Sequence, residues 1–297
     1  MGAREPRALL HRAAFFVPAT ALLLLVFAFP MIRTSLLGFF QLNLATGFEP
    51  AFAGLDNFRR LASDSRFLNS LRVTATFTFA TVALEFGLGL LLALAAERQV
   101  AGRSVVRSIM LAPWTLPTAI VAVLWAWVFN DQYGVLNALL ARAHVIDAPI
   151  AWLGGTGTAM MAIVIADVWK TTPFVFLVLL AGLQNIPREL YEAVEIDGGG
   201  AWARFRYVTW PFLLPFVFIA LVFRTIQAFA IFDLVYVMTG GGPGGATETV
   251  SVYSYQTYMR YLDFGYGSAQ VVATVALLAV FAWFLYRVLL RRYERLF

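Results

Sequence analysis

An all-α integral membrane protein with six transmembrane helices is what this sequence predicts, on three observations. The chain of 297 residues is 61% hydrophobic and only 13% charged, a balance that would leave a soluble protein with large exposed apolar patches. Six apolar runs are each long enough to cross a bilayer as a helix: 13–32, 71–96, 105–129, 159–183, 212–238 and 269–290. The basic residues then alternate between flanks. Thirteen fall on one side (Arg4, Arg7, Arg12, Arg98, Arg103, Arg107, Arg188, Arg204, Arg206, Arg287, Arg291, Arg292, Arg295) and seven on the other (Arg33, Arg59, Arg60, Arg66, Arg72, Arg142, Arg260). The positive-inside rule puts the richer side, both termini and the loop 184–211 in the cytoplasm, and the whole of 1–297 reads as one transmembrane domain.

Composition also excludes several classes of function. With no cysteine there are no disulfides or thiolate metal sites. The sole lysine, Lys170, is preceded by Trp169 within an apolar run, so no phosphate-binding loop of the G-x-x-x-x-G-K-[ST] kind exists. The two histidines, His11 and His144, are expected on opposite sides of the membrane, so no Ser-His-Asp triad or His-rich metal site can be assembled. An enzyme is not expected, and the net charge of +5 follows from topology without a nucleic acid partner.

In chain order, the first run follows three arginines in the manner of a signal peptide, but no small-x-small cleavage site follows it, and it is expected to be retained. Outside the membrane, Gly54-Leu55-Asp56-Asn57-Phe58 opens a short helix with Asp56 or Asn57 as N-cap and Phe58 and Leu61 facing the protein. The second run carries Thr74, Thr78, Thr81 and Glu85 on one helical stripe. An acid inside a span needs a protein partner, and Glu85 is expected to hold the bundle together. Gly87 and Gly89 then allow a neighbouring helix to approach. Pro113 and Pro117 should bend or break the third run. On the fourth, Asp167, Lys170, Thr171 and Phe174 share a face. They read equally as an Asp167–Lys170 pair tying helices or as a lining for a hydroxyl-rich solute. The fifth puts Arg224, Gln227 and Ile231 on one stripe, with Asp233 about half a turn away. A Gly/Pro-rich outer loop, 239–247, and an aromatic belt of Tyr253, Tyr255, Tyr258 and Tyr261 precede the last run.

The most polar stretch between two runs is Glu189 to Pro215. Leu190, Ala193, Val194 and Asp197 fall at helical spacing, so 187–196 reads as a short helix stopped by Asp197-Gly198. A second short helix spans Ala201 to about Tyr207, and Pro211 opens the next run. Glu192-Ala193-Val194, two residues, Asp197-Gly198-Gly199, then Val208, Trp210 and Pro211 resemble the EAA loop of binding-protein-dependent ABC importer permeases. Val194 and Gly199 stand for alanine and Trp210 for leucine, and Gly199 should make the elbow looser. The Gly54–Phe58 phrase, Asp167-Val168-Trp169-Lys170-Thr171-Thr172-Pro173-Phe174 and Thr239-Gly240-Gly241-Gly242-Pro243 also look like stretches of the carbohydrate-uptake members, in family order. The chain resembles a MalF/UgpA-type permease.

That resemblance implies a type I ABC importer permease fold in a bacterial inner membrane, with 184–211 as the cytoplasmic coupling helix. It implies four kinds of partner: membrane lipid, a second MalG-like permease, two ATPase subunits that hold ATP and Mg, and an extracytoplasmic sugar-binding protein. No cofactor is expected on this chain. The residues it marks for ATPase coupling are Glu192, Ala193, Asp197 and Gly198. Candidates for the path of a sugar, such as a di- or oligosaccharide, are Asp167, Lys170, Thr171, Phe174, Arg224, Gln227 and Asp233. Other solutes (glycerol phosphate, a polyol, an oligopeptide) are the alternative within the family, and an ion-driven secondary transporter or a scaffold without a solute path lies outside it.

Overall fold

The computed structural model describes residues 16–97 and 103–293. Arg4, Arg7, Arg12, Arg98 and Arg295 of the charge count, His11, and the start of the first run at Ala13 lie outside these. The described residues are mostly helical and divide into two compact units.

The smaller unit holds residues up to Asp64 together with Ser254–Val275. Helix α1 (Phe16–Leu37) is long and apolar enough to span a membrane. A two-stranded antiparallel hairpin follows, β1 (Phe40–Gln41) with β2 (Ala51–Phe52), and then α2 (Asp56–Ser63). Neither expected N-cap forms. Leu55 occupies that position, Asp56 pairs with Arg59 at 3.1 Å, and Asn57 turns inward. The buried Asn57 amide donates to the carbonyls of Gly38 (3.0 Å) and Phe40 (2.9 Å), satisfying backbone groups at the foot of the hairpin. Phe58 packs on Phe39 and Leu61 is buried, as their spacing predicts.

The larger unit, 65–253 with the chain beyond 276, contains the helices that frame the site. These are α3 (Ser65–Glu97), α4 (Arg103–Thr115), α5 (Thr118–Val128), α6 (Val135–Arg142), α7 (Thr156–Gln184), α8 (Arg188–Ile196), α9 (Ala201–Phe229) and α10 (Asp233–Met238). Helix α11 (Val250–Met259) and α12 (Phe264–Tyr293) each run across the boundary of the two units. Among the described residues five helices are long and apolar enough to span, and a sixth span results if α4 and α5 count as one. That pair bends by 98° at Leu116-Pro117, where proline removes a backbone donor and holds the preceding residue out of helical geometry.

Two expectations for the fifth run need correction. It does not continue helically to 238: α9 ends at Phe229, and Asp233 opens the separate helix α10. Nor does the helix at Ala201 stop near Tyr207. It continues into the span through a π turn, Phe205–Thr209, directly before Pro211. The wider turn accommodates the proline ring and the donor it lacks.

Packing concentrates where α3 meets α7. A Cβ on Gly89 would fall 2.7 Å from Val175 Cγ1 and 3.1 Å from the Phe176 nitrogen, so this glycine is what allows the helices to close; Gly87 meets nothing within 4 Å. Phe77, Phe129, Ile163 and Leu234 belong to one apolar core, and Phe176, Leu179, Leu183 and Leu213 to a second. Along α3, α7 and α9 a band of polar side chains separates the two.

Candidate functional site

Lipid tails are as apolar as leucine, so within a membrane the buried polar contacts fix which helix faces meet. Here three helices each contribute to one cluster. Glu85 of α3 is fully buried, Asp167 of α7 and Arg224 of α9 nearly so. The Arg224 guanidinium donates through Nε to Glu85 Oε2 at 2.6 Å and through Nη2 to Glu85 Oε1 at 2.8 Å. The same Nη2 reaches Asp167 Oδ2 at 3.0 Å. The Thr171 hydroxyl lies 2.5 Å from Glu85 Oε1 and 2.5 Å from the Asp167 carbonyl. The planar fork of arginine suits this geometry, since one cation grips a carboxylate with two bonds and still reaches a second acid.

The stripe predicted on α3 does face inward: Thr74, Thr78, Thr81 and Glu85 are all buried, with Arg224 as the partner Glu85 requires. The expected Asp167–Lys170 pair does not form. Arg224 reaches Asp167 instead, because a longer side chain on a facing helix can approach the carboxylate in the core while Lys170 sits half-buried at its margin. Among the described residues Lys170 makes no ion pair.

The candidate path residues therefore separate. Asp167, Thr171 and Arg224 are buried in the cluster, whereas Lys170 and Phe174 are half-buried and Gln227 and Asp233 are exposed. Phe174 stacks on Phe223 with centroids 4.7 Å apart, and Trp114 lies 5.9 Å from Phe174. The two neighbours extend the aromatic surface beyond what spacing alone suggested, although Phe223 lies four residues before Gln227 on the same face. The two groups are joined at Gln227, whose Oε1 accepts from Arg224 Nη1 at 2.8 Å. Arg224 is held by acids on its inner side and fixes the amide on its outer side, leaving the amide nitrogen free to donate.

The loop between α7 and α9 forms the second candidate region. Helix α8 ends in a Schellman motif: the Gly198 nitrogen donates to the Glu195 carbonyl (3.0 Å) and the Gly199 nitrogen to the Val194 carbonyl (2.8 Å), with Gly198 at φ +78°. Leu190, Tyr191 and Val194 turn toward the second core, and the Tyr191 hydroxyl meets Thr209 Oγ1 at 3.1 Å. Burial pushes the Tyr191 phenol above its ordinary value, so it remains neutral there. Glu192, Ala193, Asp197 and Gly198 all face outward, beside Ile196, and an Arg204–Glu195 ion pair clasps the elbow from its far side.

Gly199 tightens this elbow; it does not loosen it. A Cβ there would lie 2.5 Å from Val194 Cγ1 and 2.8 Å from the Val194 carbonyl oxygen. The two departures from the family pattern thus compensate, with a larger side chain at 194 balanced by a smaller one at 199. Gly199→Ala is expected to cost about 1–3 kcal/mol through overpacking, and the double variant Val194→Ala/Gly199→Ala part of that. Thermal melting of the two variants checks the coupling; equal losses in both would refute it.

The outer Gly/Pro loop is laced internally. Thr239 and Thr247 hydroxyls meet at 2.7 Å, and Thr247 donates to the Gly242 carbonyl at 2.6 Å. A two-bond ion pair from Arg66 to the buried Glu248, 2.7 Å in each bond, ties the loop to the start of α3; periodicity gave no signal for it. Tyr253 is not part of an interfacial belt, since it is buried with Arg66 over its ring at 4.6 Å. Among the described residues no group of three or more His, Cys, Asp or Glu side chains is arranged to hold a metal ion.

Residues 85–295 match the family model described as binding-protein-dependent transport system inner membrane component. The chain is 47% identical to the trehalose/maltose transport system permease protein MalF of Thermococcus litoralis, over 78% of each chain. It is 40% identical to the sulfoquinovosyl glycerol transport system permease protein SmoG of Agrobacterium fabrum, over 88% of this chain and 84% of the relative. Among solved structures it resembles a chain of a bacterial alginate ABC transporter in complex with an alginate pentasaccharide-bound periplasmic protein. The TM-score is 0.79, with 21% identity and 92% of each chain covered.

Proposed function

The chain belongs to the family of binding-protein-dependent transport system inner membrane components, and from that premise we propose that it is the permease subunit of an ATP-driven importer carrying a di- or oligosaccharide into the cytoplasm. The observation that carries this reading is the elbow: a helix stopped on a left-handed glycine, its acids facing outward, at the foot of the span that bears Arg224. Its partners are a second, MalG-like permease, two ATPase subunits that bind ATP and Mg, and an extracytoplasmic binding protein that selects the cargo; the chain itself holds no cofactor. It works as one transmembrane domain with both termini cytoplasmic, in a bacterial inner membrane. When ATP closes the ATPase dimer, the elbow moves as a lever on α9 and the cavity opens outward to receive solute.

The solute path is lined by Lys170, Phe174, Gln227 and Asp233. Stacked Phe174 and Phe223 offer a face for the apolar side of a sugar ring, and the Gln227 amide and Lys170 offer donors for its hydroxyls. Asp167, Thr171 and Arg224 act behind them, holding the helices and Gln227. A glycerol-linked solute is the second reading, favoured by the relative named for sulfoquinovosyl glycerol transport.

Deleting the gene and measuring uptake of radiolabelled trehalose, maltose and glycosyl glycerols tests the function directly. Loss of uptake for one of these supports it, and unchanged uptake of all of them counts against it. Topology is testable on the cysteine-free background: Ala203→Cys is expected to react with an impermeant maleimide only from the cytoplasmic side. Within the path, Gln227→Ala and Lys170→Met are expected to leave assembly intact and to lower uptake about fivefold each, the size of one hydrogen bond of about 1 kcal/mol. Transport assays on purified, assembled variants check this. Thr171→Val belongs with the buried cluster instead, because it removes a donor from Glu85.

A further inference from the structure

An apolar groove of about 290 Å³ lies beside the last turns of α1, walled by Phe29, Ile32 and Leu36 on one helical face and by Phe40 and Pro50 of the hairpin. One charged side chain, Arg33, lines it. Arg33 is exposed and, among the described residues, has neither an ion pair nor a hydrogen bond. The seventeen residues from Phe16 to Ile32 carry no charge, so Arg33 is the first cation beyond a run whose helical length is roughly 25 Å, close to the thickness of the hydrocarbon layer. It therefore stands at the boundary between tails and headgroups. The hairpin beside it exposes Leu44, Phe48 and Phe52, apolar groups suited to the same boundary.

We infer that this groove seats a diacyl phospholipid, with an acyl chain against Ile32 and Leu36 and the headgroup phosphate on Arg33. Charge decides between this occupant and a helix of a second chain. A helix filling the apolar groove would leave the exposed Arg33 to water unless it brought a carboxylate, whereas a phospholipid carries its anion at the level where its tails begin. The guanidinium fork can take two phosphate oxygens at once, and its aliphatic stem lies along the tail. The inference is independent of which solute is carried.

The assembled transporter, purified from nanodiscs containing phosphatidylglycerol into detergent, is assayed for retained lipid by extraction and mass spectrometry. The parent is expected to retain phosphatidylglycerol, Arg33→Gln to retain at least fivefold less, and Arg33→Lys, which keeps the charge but not the two-point grip, to fall between them; diacylglycerol, which lacks the phosphate, should not be retained. A second measurement leaves Arg33 in place: a fluorophore on Leu36→Cys should be quenched by phosphatidylglycerol brominated on its acyl chains. Equal retention by Arg33→Gln, retention of diacylglycerol, or an unquenched label at 36 would overturn the inference.

Discussion

Replacing Arg224 by methionine should abolish recovery of the folded chain. The substitution leaves Glu85 and Asp167 in the middle of the bundle without the cation that bridges them, and a buried charge that loses its partner costs about 3–5 kcal/mol. That is a large part of the total stability of an ordinary domain. The loss is specific to breaking the cluster, because neutralising its other members at the same time removes the penalty. The triple variant Glu85→Gln/Asp167→Asn/Arg224→Met is therefore expected to recover much of the yield and melting temperature that Arg224→Met loses. If Arg224→Met melted like the parent and lost only transport, the guanidinium would be a solute contact and the clamp assigned to it would be wrong.

Gly198→Val should leave the spans folded and reduce transport by tenfold or more. At φ +78° a β-branched residue is strained by about 1–3 kcal/mol, and nothing near Gly198 compensates, since its surroundings are open. The Schellman turn then gives way and the outward face of α8 rotates away from its partner. Gly198→Asn, which tolerates left-handed geometry, should retain most activity. Glu192→Lys reverses an exposed charge on the same face without altering the turn. Co-purification of the ATPase subunits separates these effects: Glu192→Lys is expected to weaken their capture, and Gly198→Val to weaken both capture and coupling. Normal uptake in both variants would remove the basis for assigning this loop to the ATPase.

The sequence made the framework legible because a span, a proline break and a glycine stop are each local. Hydropathy found α3, α7 and α12, Pro117 marked the bend between α4 and α5, and Asp197-Gly198 marked the end of α8. The stripe from Thr74 to Glu85 identified a face that must be buried because its polar groups repeat at helical spacing. What periodicity lacks is the distance between helices. Asp167 and Lys170 share a face of α7, yet Asp167 is claimed by Arg224 from fifty-seven residues away, and Glu85 by the same arginine across 139. The run 212–238 reads as one segment because its few polar residues, Arg224, Thr225, Gln227 and Asp233, are scattered through an otherwise apolar stretch, while the break after Phe229 carries neither proline nor glycine. At Gly199 the sequence suggested a more flexible chain, and only its contact with Val194 shows that the missing methyl is a packing requirement.

The most direct test of the central claim is solute accumulation in proteoliposomes that contain this chain, the second permease and the ATPase subunits, with binding protein added outside the compartment that holds ATP. Accumulation is expected to require ATP and the binding protein together, to persist when ion gradients are collapsed, and to disappear when this chain alone is omitted or carries Gly198→Val. Accumulation that continues without ATP and follows an imposed ion gradient would contradict the account.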